Sequence, residues 1–195
     1  ALAFQRDQRT PYVQQWNFSV QQQIGKGRVA ELGYAGTKGT RLIDARDINQ
    51  PAASPQQPNF RPNPGFADID ILESQANSIY HSLQARLEQR MAAGLSLLAS
   101  YTWSKSIDDS SQADDNVTWL GSFSSLQDPN KPQLERSLST FDIPHVIQFS
   151  YSYDLPFGRG RAFLGNMPRV LDMTVGGWAT NGLWGIATGR PRTPP

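Results

Sequence analysis

The chain has 195 residues and a formal net charge of +1, with 18 basic and 17 acidic side chains. This near balance argues against a nucleic-acid-binding protein, which normally carries a basic excess. The chain contains no cysteine, which excludes disulfides, thiolate catalysis and cysteine-ligated zinc. No run approaches the roughly eighteen consecutive apolar residues of a transmembrane helix.

The first ten residues, ALAFQRDQRT, lack the apolar segment that a secretory signal peptide requires. We therefore expect either a cytosolic protein or a longer precursor that carries its signal upstream. Composition does not choose between these two alternatives, so the choice depends on the fold.

Apolar and polar residues alternate along much of the chain, which is typical of β-strands with one apolar and one polar face. In the clearest run, Trp16, Phe18 and Val20 alternate with uncharged polar residues. Similar runs surround Tyr101 and Phe149. The six predicted strands lie near residues 13–24, 28–36, 79–90, 95–105, 145–155 and 177–187.

Short connections and long connections alternate between the predicted strands. Gly25-Lys26-Gly27 and residues 91–94 are predicted to form tight turns, and residues 156–160 begin a somewhat longer one. The long connections fall at the opposite end of the hairpins, where loops of this length indicate function or disorder. These two predicted loops span residues 37–78 and 106–144.

Two architectures accommodate such an up-and-down antiparallel meander. An outer-membrane β-barrel turns its apolar face to lipid and its polar face to the lumen, with short periplasmic turns and long extracellular loops. A soluble β-sandwich or a small β-barrel instead buries the apolar face inside the protein. Sequence alternation alone is compatible with both.

Three features favour the outer-membrane barrel. The strands match the roughly 9–11 residues that cross a bilayer at a tilt. The polar faces carry Ser, Gln and Asn rather than the Lys and Glu of a soluble surface. Aromatic residues lie near the strand ends, as in the girdles that anchor a barrel at headgroup level. These aromatics are Trp16, Tyr34, Tyr101 and Trp103 at the long-loop end, and Tyr153 and Trp178 at the other.

Six strands are fewer than the roughly eight that enclose an interior. We therefore predict that residues 1–195 form a single all-β segment of a larger transmembrane β-barrel. The alternative is a stand-alone soluble β-protein that acts as a carbohydrate-binding module or as a glycoside or ester hydrolase.

Eight short segments of the chain are distinctive when they are taken in order. The most distinctive is SYTWSKSIDD at residues 100–109. The others are TPYVQQWNFSVQ (10–21), ELGYAGTKG (31–39), YHSLQARL (80–87), FDIPH (141–145), DLPFGRG (154–160), GGW (176–178) and TGRP (188–191). This ordered set resembles the barrels of TonB-dependent outer-membrane receptors, in particular those with a carboxypeptidase-regulatory-like domain ahead of the plug.

The resemblance implies a barrel of about 22 strands with a plug in its lumen. It also implies energy supplied by an inner-membrane complex and import of scarce nutrients such as metal chelates or glycans. The expected partners are outer-membrane lipid and the rest of the barrel, with no nucleic acid, and the expected location is the bacterial outer membrane. The given residues contain no plug and no energy-coupling box, so we expect neither independent transport nor catalysis, and no cofactor.

Ser139, Asp142 and His145 are the candidates for a hydrolase triad. Triad members normally come from separate elements that the fold brings together. The chain also has no G-x-S-x-G elbow to present a strained serine. We therefore interpret the three residues as the entry to a strand. The second histidine, His81, begins another strand, where we expect a hydrogen-bonding role at the barrel rim.

Acidic residues and glycines supply the remaining candidate sites. Asp68, Asp70 and Glu73 could act as acid and base in glycoside cleavage, although the sequence does not fix their separation. Residues 158–161, GRGR, have neither the spacing nor the context of a phosphate loop.

A loop cluster that could bind calcium through oxygen ligands lacks EF-hand spacing, and we interpret it as solvated. This cluster comprises Asp108, Asp109, Asp114, Asp115 and Asn116. Three charges, Glu31, Arg86 and Glu88, are expected to face the barrel lumen.

Overall fold

The computed structural model describes residues 2–51, 60–92, 94–111, 127–128 and 131–191. They form one sheet in which six long strands are neighbours in chain order. Each of these neighbouring pairs is antiparallel, which confirms the predicted all-β meander. The strands are β1 Leu2–Phe4, β2 Tyr12–Gln23, β3 Arg28–Asp47, β4 Asp70–Ala92, β5 Leu95–Asp108, β6 Ser137–Leu138, β7 His145–Asp154 and β8 Ala179–Ala187.

The sheet is a single open layer within the described residues. Strands β2 and β8 form its two edges, and no second sheet packs on either face of the described part. The large apolar side chains are therefore not enclosed, and Ala45 and Ala76 are the buried apolar residues of the described chain. A β-sandwich would bury such side chains between two layers, so the sandwich alternative does not describe this fold. No helix among the described residues is long and apolar enough to cross a membrane.

The strand register gives the sheet an apolar face and a polar face. One row of paired residues on the apolar face contains Phe18, Tyr34, Leu83 and Trp103. The adjacent row on the polar face contains Ser19, Gly33, Gln84 and Thr102. We use the term apolar band for the rows of the apolar face from the one that contains Trp16 to the one that contains Tyr151.

The hairpin of β3 and β4 is longer than the sequence predicts. It extends to the pair Asp47 and Asp70, so much of the predicted loop 37–78 is paired strand. Two register shifts interrupt it between Gly39 and Ile43, and Arg41 has a positive φ of 59° there. Because the shifts break the period of two, and because the extension lies beyond the apolar band, alternation could not reveal it.

Two further elements depart from the predictions. Strand β1 pairs with the start of β4 in parallel, from Leu2 opposite Asp70 to Phe4 opposite Leu72. The connection from β7 to β8, for which the sequence predicts a somewhat longer turn, contains helix α1, Arg169–Val175. Both elements are too short to show a clear hydrophobic period. The long connection after β5 contains a 3₁₀ turn, Pro132–Glu135, before β6.

Candidate functional site

Buried polar side chains are concentrated at the long-loop end of the sheet, in and around the β3–β4 extension. We call this region the polar cap. A buried polar group is costly unless it is hydrogen-bonded, so the partners of these side chains decide how the cap is held. The cap residues are Asn49, Glu73, Ser106, Asp108, Ser139 and Asp142.

Asn49 joins the two sides of the tip of the β3–β4 hairpin. Its fully buried amide donates to the carbonyls of Asn63, Phe66 and Ala67, at 3.1, 3.0 and 2.6 Å from Nδ2. Its Oδ1 accepts the Asn63 N–H at 2.8 Å. The side chain therefore satisfies backbone groups that no strand partner reaches.

Ion pairs occupy two of the three carboxylates proposed for glycoside cleavage, Glu73 and Asp68. Glu73 binds Arg46, with 2.5 Å between Nε and Oε1, and also accepts from Gln75. Asp68 accepts a hydrogen bond from Arg61 Nη1 at 2.9 Å. Nearby in the extension, outside the apolar band, burial raises the pKa of Asp44, and a hydrogen bond from Ser110 opposes that shift.

The triad candidates lie near one another in sequence, but their side chains bond to β5 and not to one another. Asp142 Oδ1 accepts the Ser106 N–H at 2.7 Å, and Ser139 Oγ hydrogen-bonds to Ser106 Oγ at 2.8 Å. His145 lies on the apolar face, in the row of Trp103, and its Nδ1 hydrogen-bonds to Tyr101. No side-chain hydrogen bond within the described residues links the three candidates.

The Asp142 contact replaces a missing ladder hydrogen bond. Leu138 is opposite Ile107 and His145 is opposite Trp103, so the six residues that connect β6 to β7 face three residues of β5. The Asp142 carboxylate therefore accepts the Ser106 N–H of β5, which the backbone of this connection does not bind. Sequence reasoning missed this role because the motif FDIPH indicates only a strand entry.

Two tyrosine–histidine pairs repeat on the apolar face near its loop end. The Tyr34 hydroxyl lies 2.7 Å from His81 Nδ1, and the Tyr101 hydroxyl lies 2.9 Å from His145 Nδ1. In both pairs the rings are stacked, with centroids 6.0 and 6.1 Å apart. The expected rim hydrogen bond of His81 is therefore present in the structure.

The acidic loop cluster is only partly within the described residues. Asp108 accepts hydrogen bonds from Ser111, and Asp109 accepts the Asn77 N–H at 3.0 Å and pairs with Arg136. Among the described residues, no three His, Cys, Asp or Glu side chains form a group that could hold a metal ion. The other members, Asp114, Asp115 and Asn116, lie outside the described residues.

The backbone N–H groups of residues 158–161 are already used. Gly158, Gly160 and Arg161 donate to backbone carbonyls of the same connection. Arg159 donates to Asp172 Oδ1 at 2.7 Å. A phosphate loop needs free N–H groups that converge on the ligand, so this turn does not provide one.

The polar face contains a groove of about 440 Å³ that spans β2 to β5. Its lining includes hydroxyl and amide side chains together with Glu31 and Arg86. Arg86 Nη2 donates to Glu88 Oε2 at 3.1 Å along the same strand. A hydrated face of this kind can hold polar solutes. The uncharged polar residues lining it are Asn17, Ser19, Gln84, Ser100 and Thr102.

An open antiparallel sheet with an exposed apolar band, a polar opposite face and a polar cap at one end defines a class of membrane β-proteins. The chain matches the family model of the outer membrane beta barrel domain over residues 1–195 and belongs to that family. This membership places the protein in the outer membrane. Neither the curated proteins nor the solved structures contain a match to it.

Proposed function

We propose that this chain is part of the barrel of a TonB-dependent receptor whose ligand is a metal chelate or a glycan. The observation that carries the proposal is the ordered set of eight segments that resembles such receptors. Membership in the outer membrane beta barrel family supports the part of this proposal that makes the chain a segment of an outer-membrane barrel. The most distinctive segment, residues 100–109, lies mostly on β5.

The edges of the sheet support a larger barrel. Strand β2 pairs only with β3, and β8 only with β7, among the described residues. Each edge therefore presents backbone groups without a partner, and such groups cannot remain unpaired in hydrocarbon. We propose that further strands of the same barrel pair with both edges.

The polar groove and the polar cap support a hydrophilic ligand. Import through a lumen requires a hydrated wall, and the polar face from β2 to β5 supplies hydroxyl and amide groups along its length. The cap holds loop segments in place at the end where a receptor meets its ligand. Fixed polar loops of this kind lower the entropy cost of ligand binding.

Uptake in the native cell tests the receptor role. Cells in which the protein is deleted are compared with wild-type cells for uptake of labelled iron chelates and labelled oligosaccharides. We expect one ligand class to lose its uptake on deletion, and to lose it equally when the inner-membrane proton gradient is collapsed. Uptake that persists without the gradient would contradict an energised receptor and would favour a passive barrel.

A purified preparation tests the hydrolase alternative. We expect the chain to require detergent, because its apolar band is exposed. A monodisperse, detergent-free monomer with ester or glycoside hydrolysis would instead support an enzyme. In that case Asp142→Ala and His145→Ala should both abolish activity if a triad is used, and leave it unchanged if the carboxylates near Asp68 are used.

A further inference from the structure

The two faces of the paired strands differ in the charges that they carry. On the apolar face, the rows from that of Arg28 at the turn end to that of Lys38 at the loop end carry only basic charges, and the third of these is Lys105. The acidic residues of the neighbouring rows lie on the polar face, where Arg86 also lies, and they are Glu31, Glu88, Asp108 and Asp154. The charged residues of the apolar face therefore lie at its rims, outside the centre that lipid chains would contact.

Three basic residues meet at the loop-end rim. His81 lies directly opposite Lys105 on β5, and Lys38 lies opposite Ile79, two residues before His81. Directly paired side chains in a sheet are about 5 Å apart at Cβ, and diagonal ones about 7–8 Å. We call Lys38, His81 and Lys105 the basic rim patch.

The two lysines of the patch are not neutralised by carboxylates. Lys105 is exposed, and its side chain has neither a hydrogen bond nor an ion pair within the described residues. Lys38 Nζ donates only to the neutral amide of Asn77, at 3.5 Å. The carboxylate that follows in the next row, Asp109, pairs with Arg136. The patch is therefore a net positive surface.

Aromatic rings set the depth of the patch in the membrane. The centroid of the Trp16 ring lies 6.2 Å from the centroid of the His81 ring. The Tyr34 ring is stacked with the same His81 ring, at a centroid distance of 6.0 Å. Indole and phenol rings prefer the headgroup level, where their apolar bodies and polar tips are both satisfied. When the Tyr34 hydroxyl donates to Nδ1, the ring proton of neutral His81 is on Nε2, which can then donate to a ligand.

We propose that the basic rim patch binds the phosphate of a phosphorylated lipid in the leaflet at the loop end of the barrel. Lysine stems lie along apolar surface while their ammonium groups reach the headgroup. Each basic side chain at this level raises the affinity for an anionic lipid about fivefold. The proposal depends on the outer-membrane location and not on the receptor role.

Native mass spectrometry of the detergent-solubilised protein tests the proposal, with phosphatidic acid as the probe. We expect the wild-type protein to retain phosphatidic acid more tightly than phosphatidylcholine with the same acyl chains. The variant K38Q/K105Q should bind phosphatidic acid about 25-fold more weakly, because two charges are lost. The variant K38R/K105R should keep the binding, and His81→Gln alone should weaken it.

A matched variant separates the patch from general charge attraction. R86Q/R90Q also removes two positive charges, but these residues lie on or near the polar face and pair with Glu88. We expect it to bind phosphatidic acid as wild type does. Equal weakening in this variant, unchanged binding in K38Q/K105Q, or displacement of the lipid by equimolar inorganic phosphate would each overturn the proposal.

Discussion

The apolar band and the polar cap belong to the same strands but are built for different surroundings. In the band, large side chains are open to the surroundings: Leu32 is 54% exposed, Trp184 is 63% exposed and Phe149 is 37% exposed. In the cap, small polar side chains such as Asn49 and Ser139 are completely buried. The usual distribution of a soluble protein is therefore reversed.

The difference shows where each region obtains its stability. The apolar band has no protein partner among the described residues and gains its free energy when lipid chains cover it. The cap buries polar side chains within the protein, so it must satisfy its polar groups through hydrogen bonds between side chains and backbone. A substitution should therefore cost most in the band when it adds charge, and most in the cap when it removes a hydrogen bond.

A charge in the apolar band should have the largest effect. Ala85 faces the band and neighbouring Gln84 faces the groove, so Ala85→Arg and Gln84→Arg add the same charge to opposite faces. We expect Ala85→Arg to lower the free energy of unfolding from lipid vesicles by about 2–4 kcal/mol, and Gln84→Arg by less than about 1 kcal/mol. Denaturant titration of the protein in vesicles measures both, and equal costs would break the distinction between the faces.

Loss of the Asn49 amide should open the cap without disturbing the band. Asn49→Ala leaves several buried backbone groups unpaired, so we expect a local cost of about 3 kcal/mol. Hydrogen exchange of residues 60–69 should accelerate while that of β5 stays unchanged. Asn17→Ala on the exposed polar face is the matched control and should change neither; acceleration throughout the sheet would contradict a separate cap.

Asp142 should contribute through one acceptor atom and not through its charge. Asp142→Ala removes the partner of the Ser106 N–H, at an expected cost of about 2 kcal/mol. Asp142→Asn keeps an acceptor oxygen, and Asp142 Oδ2 has no hydrogen-bond partner, so we expect less than half of that cost. Thermal unfolding of the two variants compares them directly. If Asp142→Asn is as destabilising as Asp142→Ala, the carboxylate charge itself contributes to stability, which contradicts this prediction.

Substitution of Gly36 should have the smallest effect on the free energy of unfolding, because it disturbs only one close contact in the apolar band. A methyl group at Gly36 would overlap the indole of Trp16, which lies across it. We expect Gly36→Ala to cost about 1 kcal/mol and to shift the Trp16 ring away from His81. Gly33→Ala, whose added methyl meets Ser19 at an ordinary 3.6 Å, should cost less. Unfolding midpoints in vesicles measure the difference, and equal costs would contradict the packing of Trp16 on Gly36.

The sequence predicts the band better than it predicts the cap. The six long strands follow from alternation, because a strand between lipid and lumen must repeat its pattern every two residues. The glycine turn between β2 and β3 also follows, and Gly25 and Gly27 have the expected positive φ of 69° and 78°. These features depend on neighbouring residues alone.

The cap depends on contacts that sequence distance conceals. Asn49 bonds to residues about a dozen or more positions away, and Asp142 bonds to Ser106 across a bulge. An asparagine near prolines indicates a turn in general and gives no sign of a buried hub. The parallel pairing of β1 and the bulges of the long hairpin similarly follow from three-dimensional packing, which alternation does not record.

Lipid chains should contact the apolar face, and labelling at two adjacent residues tests this contact most directly. The chain has no cysteine, so Phe149→Cys and Gln148→Cys each give one site for an environment-sensitive fluorophore. In vesicles, the label at residue 149 should be quenched by nitroxides on the lipid chains, and the label at 148 by aqueous iodide. The reverse pattern, or iodide quenching at both sites, would contradict the account.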